Sequence, residues 1–171
     1  IQRVAHHDSL TGLPNRLLFN DRLAPSIRIA RRENRKFALL FLDLDKFKQV
    51  NDTLGHDAGD ELLQQVAARI RRELRDSDTV ARVGGDEFTV ILPDVVQAQD
   101  AETVARKIVA ALTAPIRLER QGRSVEIGTS IGIALYPTDA EDADALVSAA
   151  DAAMYSAKQA GSGYLLHATQ G

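Results

Sequence analysis

The chain has 171 residues and a formal net charge of -3 at pH 7. This length suits one domain with a sizeable core, and the charge argues against nucleic-acid binding through an overall positive charge. Cysteine is absent, which excludes a disulfide framework, and no apolar run reaches the roughly 20 residues of a membrane span. We therefore expect no nucleic-acid or membrane contact. Because the first residue is Ile1 and the only methionine is Met154, we interpret the chain as part of a longer protein.

The first predicted elements are an amphipathic helix and a buried strand. Four apolar residues share one helical face: Phe19, Leu23, Ile27 and Ala30. This spacing predicts a helix over Arg16–Glu33, with Pro25 as a candidate kink. The segment "KFALLFLDLD" (Lys36–Asp45) is a nearly continuous apolar run, which is typical of a central strand covered on both faces.

A glycine-containing loop, a helix and a hairpin follow. Apolar residues at helical spacing predict an amphipathic helix over Asp60–Leu74. The segments "DTVARV" and "EFTVIL" predict two strands around Gly84 and Gly85. We expect the turn between them to need residues that accept positive φ.

The last predicted elements are a helix, a strand and a final helix. The third predicted helix ends near Pro115, "SVEIGTSIGIALYP" predicts one strand, and the last helix ends near Gly161. Repeats and linkers are absent from the sequence. We therefore assign one α/β (α+β) domain over residues 1–171.

Three carboxylates are expected at one edge of the sheet. A helix crossing back over the sheet returns the chain, so the first hairpin strand runs in the same direction as the strand that contains Asp43. The turn with Asp86 and Glu87 then lies beside Asp43. Magnesium favours carboxylate oxygens together with substrate phosphates, which indicates phosphoryl transfer on a nucleoside triphosphate. Asp45 and Asp52 are better explained as turn formers.

Several segments resemble the GGDEF family of diguanylate cyclases. "GGDEF" (Gly84–Phe88) is the family signature, and "DSLTGLPNR" (Asp8–Arg16) is similar to its opening motif. "FLDLDKFKQVNDTLGHDAGDELL" (Phe41–Leu63) is similar to the metal and nucleotide segment, and "SIGIALYP" and "ADAAMYSAKQAG" to the closing blocks. The resemblance implies a mixed, mainly antiparallel central sheet flanked by helices, similar to the palm of nucleotide cyclases and polymerases.

The resemblance also implies a magnesium (or manganese) site. In the family, the acid near the end of the first strand, a neighbouring backbone carbonyl and the signature acids hold Mg²⁺ against GTP phosphates. The matching residues are Asp43, Leu44, Asp86 and Glu87. Glu87 or Asp86 is the candidate base for the 3′-hydroxyl proton. Gly84 and Gly85 let the triphosphate or ribose approach without a Cβ clash.

Other residues match a GTP site. Asn51 and Asp60 match the positions that read the guanine edge by donating and accepting hydrogen bonds. From the residues alone, Asp60 is equally well explained as a helix N-cap and Asn51 as a loop residue. Lys48 and Lys158 match phosphate-binding lysines. The family usually has a further basic residue where this chain has Ser162, and we expect weak GTP binding from that departure.

An inhibitory site for the product is the last feature that the resemblance implies. "RDSD" (Arg75–Asp78) has the RxxD form of that site and is separated from Gly84 by five residues, and Arg106 matches its secondary arginine. Arginine offers a planar fork to phosphate and guanine, and aspartate accepts from guanine. Taken alone, Arg75 is equally a cation at a helix C-terminus.

The resemblance implies a cytoplasmic diguanylate cyclase that belongs to a longer signalling protein. It would join two GTP molecules into cyclic di-GMP, release two pyrophosphates and be inhibited by its product. Because each domain of the family holds one GTP, a homodimer is required. The alternatives are a catalytically weak module that binds GTP or cyclic di-GMP to control an attached output domain, and an ATP-using palm enzyme.

Overall fold

The computed structural model describes residues 5–167, which form both helices and strands. The predicted domain limits, residues 1 and 171, lie outside this part. The elements are α1 (Arg16–Glu33), β1 (Phe37–Asp45), α2 (Phe47–Leu54), α3 (His56–Arg72), β2 (Thr79–Arg82), β3 (Glu87–Leu92), α4 (Ala98–Thr113), β4 (Ile116–Leu118), β5 (Arg123–Val125), β6 (Gly128–Tyr136), α5 (Ala143–Ala160) and β7 (Tyr164–Leu166).

The main sheet has five strands in the order β2-β3-β1-β6-β7. β1 is central and pairs antiparallel with β3 and β6, β2 pairs antiparallel with β3, and β6 pairs parallel with β7. The predicted mixed, mainly antiparallel sheet is therefore confirmed. β2 runs in the same direction as β1, as the crossover argument predicts. β4 and β5 form a separate two-stranded ribbon.

Helices cover both faces of the sheet. Alternate residues of a strand point to opposite faces. Leu40 and Leu42 of β1 therefore join an apolar cluster with residues of α2, α3 and α4. Leu39 and Phe41 join a second cluster with residues of α1 and α5. Burial on both faces explains why the sequence of β1 is apolar without alternation.

α1 has its predicted limits and α5 its predicted end, and the helix ends concerned are capped. The Asn15 side chain accepts a hydrogen bond from the Leu18 N–H at 3.1 Å, and α1 spans the predicted residues and continues through Pro25. Gly161 adopts the left-handed conformation that ends α5, with φ of 66°. Among residues 5–167, the helices lack the length and apolarity needed to cross a membrane.

Two predictions about the segment after β1 are wrong. The expected loop contains α2, a short helix whose Val50 is buried in the core. It follows Lys46, which has a left-handed φ of 70°. The next helix begins at His56 rather than at Asp60, with Gly55 as its N-cap. Asp60 therefore lies inside α3, and its alternative interpretation as an N-cap is excluded.

The predicted strand "SVEIGTSIGIALYP" is also divided. Its first residues belong to β5, which pairs with β4, and the rest form β6 in the main sheet. Within β6, a Cβ atom on Gly132 would collide with the Ala150 carbonyl group of α5. Glycine at this position lets the helix approach the sheet closely.

Candidate active site

The three predicted carboxylates meet at one edge of the sheet. In the antiparallel pairing of β1 with β3, Asp43 lies opposite Glu87. The Leu44 N–H donates to the Asp86 carbonyl at 3.2 Å, which draws the hairpin turn towards the end of β1. The register of two strands thus brings together acids that are more than 40 residues apart in the chain.

The signature turn does not depend on left-handed backbone conformations, and that prediction is wrong. Neither Gly84 nor Gly85 has a positive φ. The turn is closed by the Val83 and Gly84 N–H groups, which donate to the Glu87 carbonyl at 2.9 and 3.3 Å. A Cβ atom on Gly84 would collide with the Glu87 side chain, whereas one on Gly85 would meet nothing within 4 Å. Gly84 therefore makes room for the Glu87 side chain, and Gly85 leaves open space at the turn.

An arginine at the end of β2 braces this turn. Arg82 Nε and Nη2 donate to the Gly85 carbonyl at 3.0 and 2.8 Å, and Nη1 lies 3.0 Å from Asp8 Oδ1. Asp8 also accepts from the Thr11 N–H at 2.8 Å. Burial alone would raise the pKa of Asp8, but hydrogen bonds from Thr11 and the Arg82 charge hold it below its ordinary value. We call Asp8, Thr11 and Arg82 the turn brace.

Sequence reasoning assigned no role to the turn brace or to Arg16. Arg16 Nη2 donates to the Val83 carbonyl at 2.9 Å, and Arg16 lines the same cavity as Asp8 and Arg82 of the brace. The only sequence signal was the presence of Asp8, Thr11 and Arg16 within the opening motif "DSLTGLPNR". The partners of Asp8 and Arg16 are 74 and 67 positions away in the chain, so spacing within the motif could not identify them.

A lysine of α5 stands as counterion to the carboxylates. Lys158 Nζ lies 2.9 Å from Asp43 Oδ2 and 3.8 Å from Asp45 Oδ1. Burial opposes the charged ammonium, but the hydrogen bond and negative charge of Asp43 raise the pKa of Lys158 above its ordinary value. The other oxygen, Asp43 Oδ1, is buried and has no hydrogen-bond partner among the described residues.

The edge carries more negative charge than its cations balance. Burial, followed by the negative charge of Asp43, raises the pKa of both Asp86 and Glu87. Asp151 of α5 adds to this effect on Glu87, and the Arg16 charge opposes it. An unsatisfied buried carboxylate oxygen within a cluster of acids fits a hard divalent cation.

The carboxylates do not form a complete metal cage by themselves. Among residues 5–167, no group of three or more His, Cys, Asp or Glu side chains is already arranged to hold an ion. Magnesium commonly takes one or two carboxylates and completes its shell with water and substrate phosphates. The arrangement therefore fits a site that is completed by a nucleotide.

The predicted guanine-reading residues lie where α2 meets α3. A Cβ atom on Gly59 would collide with the Asn51 side-chain amide, so glycine at this position makes room for the Asn51 side chain. The next residue, Asp60, is exposed. Lys48, in the first turn of α2, is also exposed. Ser162 follows the C-terminus of α5, and its hydroxyl donates to the Tyr164 carbonyl at 3.3 Å.

The predicted inhibitory residues border a separate cavity of about 210 Å³. Arg75 and Asp78 line it, and the Asp78 carboxylate accepts from the Arg75 N–H at 2.8 Å. Arg22 and Arg71, which sequence reasoning missed, line it as well. Arg106 does not, because its guanidinium carbon lies 5.9 Å from the centroid of the Tyr164 ring.

Comparison with known proteins gives one family. Residues 5–163 match the family described as "Diguanylate cyclase, GGDEF domain". Diguanylate cyclase TpbB of Pseudomonas aeruginosa is 51% identical over 155 residues, which are 91% of this chain and 35% of that protein. The bifunctional diguanylate cyclase/cyclic di-GMP phosphodiesterase MucR of the same organism is 51% identical over 93% of this chain and 23% of its own length. The chain thus spans about a third or less of these relatives.

Solved structures agree with the sequence matches. A structure that comprises only the GGDEF domain of TpbB from Pseudomonas aeruginosa is 49% identical and superposes with a TM-score of 0.91, covering 95% of this chain and 94% of that one. The GGDEF domain of DgcB from Caulobacter crescentus, solved in complex with c-di-GMP, is 30% identical with a TM-score of 0.88 and 98% coverage of both chains.

Proposed function

Because this chain belongs to the GGDEF domain family of diguanylate cyclases, we propose that it condenses two GTP molecules into cyclic di-GMP and two pyrophosphates. The observation that carries the proposal is the edge of the sheet where Asp43, Asp86 and Glu87 meet around a buried, unpaired carboxylate oxygen. This is the place where a triphosphate and its cation would supply the missing positive charge. We also propose that the reaction takes place in the cytoplasm.

The metal would be held by the oxygen ligands at this edge: the Asp43, Asp86 and Glu87 carboxylates and the Leu44 carbonyl. When bound, Mg²⁺ or Mn²⁺ neutralises the triphosphate and polarises the phosphate that is attacked. Lys158 would release Asp43 and bind phosphate oxygens instead, where its charge is again paired.

The nucleotide would lie between the signature turn and the helices α2 and α3. Asn51 and Asp60 would hydrogen-bond the guanine edge, and Lys48 would join Lys158 at the phosphates. Gly84 and Gly85 would keep the turn open to the ribose and α-phosphate. Serine at position 162 removes one cationic phosphate contact that the family usually has.

The reaction requires two chains that face each other. The 3′-oxygen of one GTP forms a bond to the α-phosphorus of the other, the bond to the β-phosphate breaks, and pyrophosphate leaves. The 3′-hydroxyl proton passes to Glu87 or Asp86, the carboxylates of the signature turn. A second, symmetric step closes the ring. Because each chain holds one GTP, we propose that a homodimer is the active form.

Product inhibition is a second part of the proposal. Cyclic di-GMP would bind at Arg75 and Asp78, with Arg106 supplied by a facing chain. Arginine and aspartate side chains at a cavity suit a ligand that presents phosphodiesters and guanine edges. The product would then hold two chains in an arrangement in which their GTP sites do not meet.

Incubation with GTP or ATP and Mg²⁺, followed by product identification, tests the activity. We expect cyclic di-GMP from GTP and no cyclic dinucleotide from ATP. A domain that binds GTP or cyclic di-GMP without turnover would instead be a regulatory module for an attached output domain. Ser162 is the observation that favours this second candidate, since it weakens the phosphate site.

A further inference from the structure

A cavity of about 370 Å³ lies against the signature turn on the side of α1. Its walls are Asp8, the first residues of α1, the end of β2, and both Gly84 and Gly85. α1 and α5 pack on one face of the sheet, whereas α2 and α3, which carry the proposed guanine residues and Lys48, pack on the other. The turn therefore separates this cavity from the proposed guanine site of the chain's own GTP. We call it the Arg16 cavity.

The walls of the Arg16 cavity combine a cation with an exposed apolar side chain. Arg16 is exposed, and no carboxylate of residues 5–167 lies within 4.0 Å of its guanidinium nitrogens. One guanidinium nitrogen donates to the Val83 carbonyl at 2.9 Å, which fixes the group beside the turn. The neighbouring Leu17 is 49% exposed.

Gly85 leaves space at the same place. A Cβ atom there would meet nothing within 4 Å, and the residue has no positive φ, so neither local packing nor backbone conformation requires glycine. Arg16 is also near enough to the carboxylates at the edge of the sheet for its charge to lower the pKa of Glu87. The cavity thus adjoins the carboxylates of the sheet edge, and the Asp8 carboxylate in its own lining is paired with Arg82, which leaves the Arg16 charge for a ligand.

We propose that the Arg16 cavity receives the ribose and α-phosphate of the second GTP, which is held by the partner chain. This inference rests on the two-GTP reaction proposed above. In that reaction the partner's 3′-oxygen must reach the α-phosphorus held by this chain. The partner's ribose must therefore approach the turn from the side that the chain's own GTP does not occupy. Arg16 then contacts the α-phosphate of that nucleotide, and Leu17 packs against its ribose.

The assignment gives the chain two nucleotide contacts with separate roles. The carboxylates and the α2–α3 face bind the chain's own GTP, and the Arg16 cavity positions the attacking one. Loss of the second contact lowers the rate of bond formation while binding of the first nucleotide is retained.

The test compares the same substitution at two exposed residues of α1. Leu17→Asp places a negative charge in the Arg16 cavity, and the control Ile29→Asp places one at a residue that is 43% exposed near the far end of the helix. We expect Leu17→Asp to lower turnover at least tenfold, with affinity for a non-reactive GTP analogue within twofold of the parent. Ile29→Asp should leave both unchanged. Arg16→Ala should lower turnover in the same way, and Arg16→Lys should restore part of it.

Three results would overturn the assignment. Parent-like turnover of Leu17→Asp removes the cavity from the reaction. An equal loss of analogue affinity and turnover places Leu17 in the first GTP site. A rate that recovers fully at high protein concentration makes Leu17 a contact between chains rather than with the nucleotide. A parent protein that forms no cyclic di-GMP contradicts the proposed reaction and this inference together. If the parent is active, the variants test this inference alone.

Discussion

Replacing Asp8 by Asn should destabilise the protein only where Asp8 is ionised. The Asp8 and Arg82 side chains of the turn brace are 19% and 17% exposed, so solvent screens their 3.0 Å pair less than a surface pair. A hydrogen bond to a charged group contributes about 1.5–3 kcal/mol and a neutral one about 0.5–1.5 kcal/mol. We therefore expect Asp8→Asn to cost about 1–2 kcal/mol at pH 7, which corresponds to a fall of roughly 2–8 °C in Tm for a domain of this size.

The pH dependence gives this prediction its sign. The folded-state pKa of Asp8 is lowered from 3.8, so its stabilisation is fully present above that unfolded value and is lost as pH falls through the folded pKa. Urea denaturation of the parent and Asp8→Asn should show a gap at pH 7 that closes in strong acid, and the exposed Asp21→Asn on α1 serves as control. A gap that is the same at both pH values, or no gap at pH 7, would refute the role assigned to the ion pair.

The remaining predictions concern the proposed activity. Asp43→Asn and Asp86→Asn should each abolish cyclic di-GMP formation while thermal unfolding changes little, because each removes an ionised ligand; parent-like turnover of either variant contradicts the metal assignment. Ser162→Arg should tighten GTP binding by roughly 10- to 150-fold if its guanidinium makes a charge-assisted phosphate contact of about 1.5–3 kcal/mol. An unchanged calorimetric affinity would show that Ser162 does not weaken the phosphate site. Arg75→Ala should abolish tight binding of cyclic di-GMP but leave GTP binding and the initial rate nearly unchanged; equal product affinities of variant and parent would exclude the inhibitory site.

The parts of the fold that the sequence predicted are those set by burial over many residues. α1 has the predicted limits because an apolar face at helical spacing lies between a capping Asn15 and a left-handed Asn34. β1 was predictable because both of its faces are covered. The meeting of Asp43 and Glu87 followed from strand direction alone.

The parts that the sequence did not predict depend on contacts made after folding. α2 buries only Val50, and so short a helix leaves little periodic signal. Gly84 makes room for the Glu87 side chain and has no positive φ, and a turn motif does not distinguish these two uses of glycine. Arg82 reaches Asp8 across 74 positions of the chain.

The ion pair between Lys158 and Asp43 has a thermodynamic consequence for ligand binding. A metal ion that binds the Asp43 carboxylate must displace the Lys158 ammonium group from it. Metal binding alone is therefore an exchange of cations rather than a simple addition. The triphosphate offers the released ammonium a new partner, and each ligand then lowers the cost of binding the other. Because such coupling is reciprocal, metal should raise nucleotide affinity by the same factor by which nucleotide raises metal affinity. The lysine thereby favours arrival of metal and nucleotide together over the capture of either one alone.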